Sequence, residues 1–414
     1  MKTIVLDDDP TGTQSASDVT VLFDATADSI TQALRAADSV YVQTNSRAID
    51  EASARLLVAR IHADGLEAGH RLGEDVRFVL RGDSTLRGHV FAETAEFLAP
   101  TSVIVFVPAF PDGGRTTQEG THYVQISGKN VAAHESEYAN DPVFPFHTSV
   151  LTDYVEAKSG RNAKHVPLDD VRSVDPLVEA IVSAQPGSVV IPDAVTNDDI
   201  RRIAQAIERA TALGASSIVR CASPLAARLA GVESTGLLTT PLMSDPEPTL
   251  LICGSHTAGA TGQVGNLEAK WGTVLAIDTE TALENPQGAG QNAAAALRSQ
   301  ITERGLAILT SDRQRSATHN TLHHGEQVMS ALTTAVAELR DDVNVVIAKG
   351  GITSSEVART GLGATQARVL GQILPGISLW NIDMGASKSV LYVVVPGNVG
   401  DDHTLSKIIQ AIGF

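Results

Sequence analysis

Short β-branched apolar runs recur along the whole chain, separated by Ala-rich amphipathic stretches. The runs read T-I-V-L-D at 3–7, S-V-Y-V-Q at 39–43, R-F-V-L-R at 77–81 and S-V-I-V-F-V-P at 102–108. They continue as S-V-V-I-P at 188–192, S-S-I-V-R at 216–220, T-L-L-I-C at 249–253 and T-V-L-A-I at 273–277. G-L-A-I-L at 305–309, N-V-V-I-A at 344–348 and S-V-L-Y-V-V-V at 389–395 complete the set. Continuous apolar runs of this length suit strands covered on both faces, as in a parallel sheet. Between them, helices are clearest at 52–63, 198–213, 292–303 and 327–340. This alternation predicts an α/β chain whose ligands bind at the carboxyl ends of the strands.

At about 150 residues per domain, a chain of 414 residues suggests two or three domains. The stretch G-L-L-T-T-P-L-M-S-D-P-E-P at 236–248 is proline-rich and precedes a fresh strand, so it reads as a linker. The expected division is 1–236, a linker at 237–248, and 249–414. The expected fold is two α/β domains with mainly parallel sheets and an inter-domain cleft. Residues 127–167, rich in Gly, Asn, His and Pro, read as an irregular excursion that is a candidate cover for the first domain's site.

Lys and Arg total 31 against 48 Asp and Glu, a net charge of −17. That charge opposes nucleic-acid and anionic-membrane surfaces, and 4% aromatic residues give little for base stacking. A small anionic substrate stays compatible, because a few arginines and helix N-termini can make a local pocket. No run approaches the roughly 18 apolar residues that span a bilayer. Two cysteines, Cys221 and Cys253, exclude a disulfide framework and a Cys-based zinc site. The opening M-K-T-I-V-L-D-D-D-P does not read as a secretory signal, so a cytoplasmic location is expected. The sequence leaves homo-oligomerisation undecided.

Three polar segments follow predicted strands in the first half. Asp7-Asp8-Asp9-Pro10-Thr11-Gly12-Thr13-Gln14 gathers carboxylates that make sense near a cation or a substrate hydroxyl, although an Asp-Pro turn would also suit them. Arg81-Gly82-Asp83-Ser84-Thr85-Leu86-Arg87-Gly88 brings arginine forks and hydroxyls to a helix start, a setting for carboxylate or phosphate. Its bland alternative is an ordinary Ser or Thr N-cap. Pro108 to Thr117 adds two glycines and Arg115. If the three strands are parallel neighbours, these loops converge on one rim.

The second half has glycine-bearing turns at Cys253–Gly259, Lys349–Glu356 and Pro396–Asp402, each after a strand. Backbone N–H groups and hydroxyls there suit a polyphosphate. None matches G-x-x-x-x-G-K-[ST] or G-x-G-x-x-G. His319, His323 and His324 read as solvated or capping residues rather than metal ligands, and Cys253 as a small core residue.

In this order the motifs resemble the four-carbon acid sugar kinase family. Its D-D-x-T-G is similar to Asp8-Asp9-Pro10-Thr11-Gly12, and its K-x-D-S-T-L-R-G to Arg81 and Asp83–Gly88, with arginine in place of lysine. Its P-A-F-P-x-x-G-R is matched at Pro108–Pro111, Gly114 and Arg115. Its G-S-x-S/T resembles Gly254, Ser255 and Thr257, its G-G-E-T resembles Gly350–Thr353, and its S-G-N-F-G resembles Gly397–Gly400. Ile352 stands in place of the family's glutamate, Pro396 in place of a small residue, and Val399 in place of an aromatic one.

The resemblance implies a sugar-acid-binding N-terminal domain, a nucleotide-binding C-terminal domain, and ATP-dependent phosphorylation of a threonate-, erythronate- or oxo-tetronate-type acid. It implies ATP contacts at Ser255, Gly350, Gly351, Thr353 and Gly397, with Ile352 and Asn398 in the same turns. In-line transfer then needs positioning and charge neutralisation. Arg87 and Arg115 would hold the acceptor carboxylate, helped by Ser84 and Thr85, with Asp8 and Thr11 also on the acceptor side. Asp83 or Asp9 would orient and deprotonate the attacking hydroxyl. The remaining N-terminal carboxylates are the candidates to position Mg²⁺, with no ligand assigned. An NAD-dependent sugar-acid dehydrogenase would show G-x-G-x-x-G after a strand, which is missing. A non-catalytic sugar-acid sensor would share these residues and lack turnover.

Overall fold

The structure, a computed structural model, describes residues 1–126, 128–313, 322–385, 388–397 and 399–414. It divides into two compact units, Met1–Ser234 and Thr235–Phe414.

In the first unit the strands lie side by side in the order Val19–Leu22, Ser39–Gln43, Lys2–Asp7, Val76–Arg81, Ser217–Cys221, Val103–Val107, Val189–Pro192 and Ala163–Val166. All neighbours are parallel. Ile4, Val5 and Leu6 are buried, as continuous apolar runs covered on both faces must be. Register decides where the site forms. Asp7 is level with Gln43 and Arg81, Arg81 with Cys221, and Cys221 with Val107. The loops after these strands therefore leave from one edge.

The covering helices carry their own start and stop signals. Asn197–Ala212 opens with a capping box between Thr196 and Asp199. Ile200, Ile203, Ala204, Ile207 and Ala210 repeat at helical spacing and are buried, each isoleucine contributing about 1.5–3 kcal/mol. Glu51–Leu72 is capped by Asp50 and stops at Gly73, whose φ of 66° is left-handed.

In the second unit Leu275–Ile277, Leu306–Ser311, Thr249–Cys253, Val345–Lys349 and Ser389–Val395 form a parallel set. Ile377–Asp383 and Gln366–Leu374 extend it as antiparallel strands. The periodic reading misses this pair because Gln366–Leu374 alternates buried and exposed positions instead of forming an apolar run. Cys253 is level with both Thr310 and Lys349, and Lys349 with Val395. The proline-rich segment lies on this unit, with Leu238 N–H donating to the Gln372 carbonyl and Leu242 N–H to that of Ala411.

The excursion at 127–167 has structure of its own. Its strand Lys129–Ala132 completes an antiparallel meander with the preceding Arg115–Gln118 and Thr121–Ile126, and the helix Leu151–Ser159 and the edge strand Ala163–Val166 follow. Among the described residues no helix is long and apolar enough to cross a membrane.

Candidate active site

The first unit's site is built from buried charges at the strand ends. Arg81 Nη1 lies 3.0 Å from Asp7 Oδ1 and 3.4 Å from Asp8 Oδ1, and donates to the Asp9 carbonyl at 3.2 Å. Arg220, level with Leu80 on the next strand, holds Asp8 Oδ2 at 3.1 Å and pairs with Glu93. Arg47 binds Asp9, approaches Asp8 Oδ1 at 3.6 Å and reaches Asp83 Oδ2 at 3.8 Å. Gly12 permits this packing, since a Cβ there would overlap the Asp7 carboxylate.

Protonation follows from burial and these partners. Burial pushes the Asp7 carboxyl up to about 7, with Arg81 pulling the other way. Burial also raises Asp8 despite Arg47 and Arg220. In Asp9 burial is outweighed by Arg47, Arg81 and the Thr11 amide, which hold it below the usual carboxylate range. The same contest leaves Asp83 well below that range, through Arg87, Arg47 and Thr85.

Asp83 and Asp9 use their oxygens differently. Arg87 Nε at 2.8 Å, the Thr85 hydroxyl and Arg47 all meet Asp83 Oδ2. Asp9 accepts the Thr11 N–H on Oδ1 at 2.7 Å and Arg47 on Oδ2. Arg87 also faces Asp141 Oδ2 at 3.6 Å and lies 5.2 Å from the Tyr138 ring centroid, so the 127–167 excursion reaches the Asp83 loop.

Arg115 is different. It is 8% exposed. It donates to the Gly113 carbonyl, its Nε has no hydrogen-bond partner, and no carboxylate pairs with it among the described residues. His122 ties its hairpin to the Asp83 loop. His122 Nε2–H donates to the Ser84 carbonyl at 2.8 Å, and Nδ1 meets the Thr117 hydroxyl at 3.0 Å. Burial lowers His122 to about 4, so it is neutral and Nδ1 accepts. The Tyr154 hydroxyl fixes the next turn through the Leu86 carbonyl at 2.7 Å.

The second unit brings its three glycine turns together. Thr257 caps the helix Ala258–Trp271, accepting the Ala260 N–H at 3.2 Å, and donates to the Gly397 carbonyl at 3.0 Å. Ser255 Oγ is 3.4 Å from Thr257 Oγ1. Thr353 Oγ1 faces Gly254 and Ser255 Oγ faces Gly397, so closely that a Cβ on either glycine would overlap it. Gly350 has a φ of 115°, open to glycine alone without strain. Ile352 is 49% exposed beside these groups and offers no polar contact. Asn398 and His319 lie outside the described residues, as does the side chain of His323.

Residues 3–229 match a family described as a sugar-binding N-terminal domain, and residues 250–405 one described as a nucleotide-binding C-terminal domain. The chain belongs to the four-carbon acid sugar kinase family. It is 28% identical over 405 residues to a D-threonate kinase of Bordetella bronchiseptica, covering 92% of this chain and 87% of that one. It is 29% identical over 255 residues to a D-erythronate kinase of Heliobacterium modesticaldum, covering 60% of this chain and 54% of that one. The crystal structure of Haemophilus influenzae protein HI1011 superposes with a TM-score of 0.66 at 20% identity, over 99% of this chain and all of that one, a likeness of fold.

In this member of the acid sugar kinase family, sequence reasoning missed Arg47, Glu93 and Arg220. Arg220 carried one usable signal, a charged residue ending an apolar run. Arg47 and Glu93 carried none, because only the fold brings them to the aspartates.

Proposed function

We propose that this chain transfers the terminal phosphoryl group of ATP to a hydroxyl of a short, four-carbon sugar acid of the threonate, erythronate or oxo-tetronate type. The observation that carries the acceptor half is Arg115. Arg47, Arg81, Arg87 and Arg220 are each matched to a carboxylate, whereas Arg115 is buried with none among the described residues. A buried guanidinium fork is costly alone and binds a carboxylate bidentately. The names of the relatives, D-threonate kinase and D-erythronate kinase, support the same acceptor class.

Asp83 is the residue we assign to the attacking hydroxyl. Its described contacts all fall on Oδ2, which leaves Oδ1 to accept the hydroxyl proton. Both oxygens of Asp9 are taken, so we give Asp9 the role of holding Arg47. A weakly basic carboxylate suffices, because the transition state of phosphoryl transfer is loose and positioning dominates. Ser84 and Thr11 would hydrogen-bond the other acceptor hydroxyls, while Thr85, with no exposed surface and its hydroxyl held between Asp83 and Arg87, would keep Asp83 in place. In the second unit, Ser255, Thr257, Thr353 and the turns at Gly254, Gly350 and Gly397 would hold the phosphates.

The N-terminal carboxylates do not fit a metal ion. Asp7, Asp8 and Asp9 are each matched to a guanidinium, and no group of three acidic, imidazole or thiol side chains is spaced to hold one among the described residues. No step here runs through Mg²⁺.

A coupled ADP-release screen with ATP, with and without Mg²⁺, tests the reading. D- and L-threonate, D- and L-erythronate and the oxo-tetronates are the acceptors. Acid-dependent ADP release from at least one is expected. Binding of acid and nucleotide without ADP release from any of them would make the protein a sensor.

A further inference from the structure

Two cations of the second unit grip carbonyls instead of carboxylates. Lys349, with no exposed surface, donates from Nζ to the Pro396 carbonyl at 3.0 Å. Arg313 donates from Nη1 to the Ser255 carbonyl at 2.6 Å, and from Nη2 to the Cys253 carbonyl at 3.3 Å and to Ser311 Oγ at 2.7 Å. Neither has an acidic partner among the described residues. They flank one thiol, since Arg313 Nη1 is 3.7 Å from Cys253 Sγ and the Cys253 titration feels both charges. A buried ammonium with one neutral acceptor is expensive, and an anion bound nearby relieves that cost.

The peptide plane gives the direction. In a trans peptide the N–H of one residue points opposite the carbonyl of the residue before it. Lys349 draws the Pro396 carbonyl toward itself, so the Gly397 N–H faces the other way. Arg313 does the same to the Cys253 and Ser255 carbonyls, which turns the N–H groups of Gly254 and His256 outward. The grips thus aim the amides of two adjacent turns away from the cations, with positive charge behind them, the arrangement that binds phosphate.

We propose that Lys349, with Arg313, is a positioning residue for the nucleotide's polyphosphate, orienting the Gly254 and Gly397 turns and supplying the charge that the missing P-loop lysine would supply elsewhere. The proposal rests on the nucleotide reading of this unit. Burial lowers Lys349 to about 8. Cys253 is the titratable group facing it from the neighbouring strand, its thiol pushed up by burial. On the other side Val395 of the strand Ser389–Val395 is level with Lys349, and Tyr392 of that strand, level with Val346, turns its hydroxyl to the Ser354 carbonyl. A bound polyphosphate favours the charged form, so affinity is full below pH 8 and falls as the free protein loses this proton.

The test is titration calorimetry of the full chain with ATP, ADP and adenosine between pH 7.5 and 9.5. That window lies above the second ionisation of phosphate esters, at about 6. Wild type should lose about tenfold in ATP affinity across it. Lys349→Arg, which stays charged, should show a flat profile. Lys349→Met should bind ATP and ADP at least tenfold more weakly at pH 7.5 and adenosine within twofold of wild type, with an unchanged circular dichroism spectrum. Equal weakening for adenosine and ATP in Lys349→Met, or the same pH slope in wild type and Lys349→Arg, would overturn the assignment and leave nucleotide binding standing. Wild type that binds neither ATP nor ADP at any pH would overturn both.

Discussion

Arg87 Nε lies 2.8 Å from Asp83 Oδ2, the oxygen that Thr85 and Arg47 also reach, and this concentrates the protein's own contacts on one side of the carboxylate. The other oxygen is the one we give to the substrate. Asp83→Asn keeps the shape and removes the proton acceptor. Turnover should fall by about 10²–10⁴-fold, while the ATP dissociation constant from calorimetry stays near the wild-type value. Turnover within a few-fold of wild type would move the base role elsewhere.

Arg115→Ala should separate the two substrates. On the proposed reading the guanidinium bears on the acid alone, so the acceptor KM should rise by roughly 10²-fold, the range for deleting one partner of a buried charge pair. The KM for ATP should change little. Steady-state kinetics with each substrate varied in turn would read the split. A larger effect on ATP would assign Arg115 to the phosphates.

The Arg81–Asp7 pair, at 3.0 Å with both side chains buried, predicts a stability effect. Arg81→Met leaves Asp7 without its guanidinium, Asp8 keeping Arg220 and Arg47, and should cost about 3–5 kcal/mol at pH 8 in urea denaturation. Because Asp7 takes up a proton readily, the loss should shrink at pH 5. A loss independent of pH would mean that Asp7 stays ionised throughout.

Asp7 also predicts a pH profile of its own. Its carboxyl titrates at about 7 in the folded protein against the ordinary 3.8. Between those values the folded chain holds a proton that the unfolded chain has released. Its contribution is full below about pH 4 and is lost as pH rises through 7. Subtracting the stability of Asp7→Asn from that of wild type should give a difference that declines from pH 4 to 7 and then levels. A flat difference would refute the raised value.

The alternation of apolar runs made the parallel strands legible except Val19–Leu22 and Ala163–Val166, and the strand ends at Asp7, Arg81, Cys253 and Lys349 followed from them. In the hairpin at 366–383, Gln366–Leu374 was not legible because buried and less buried positions alternate along it, and Ile377–Asp383, though mostly buried, has its apolar run broken by Ser378 and Asn381. The site was legible where residues sit on the loop that directly follows a strand, as at Asp83 and Arg115. Glu93 and Arg220, 127 positions apart in the chain, meet only because the sheet order puts the strand Ser217–Cys221 between Val76–Arg81 and Val103–Val107.

The order of the motifs along the chain determined the family, the α/β class and the loops that carry the polar residues, because these depend on local pattern. Which aspartate oxygens meet a guanidinium, and which cations have no carboxylate partner among the described residues, was decided by tertiary structure alone. Charge pairing depends on distances of a few ångströms between segments far apart in sequence, and only the register of neighbouring strands sets those distances.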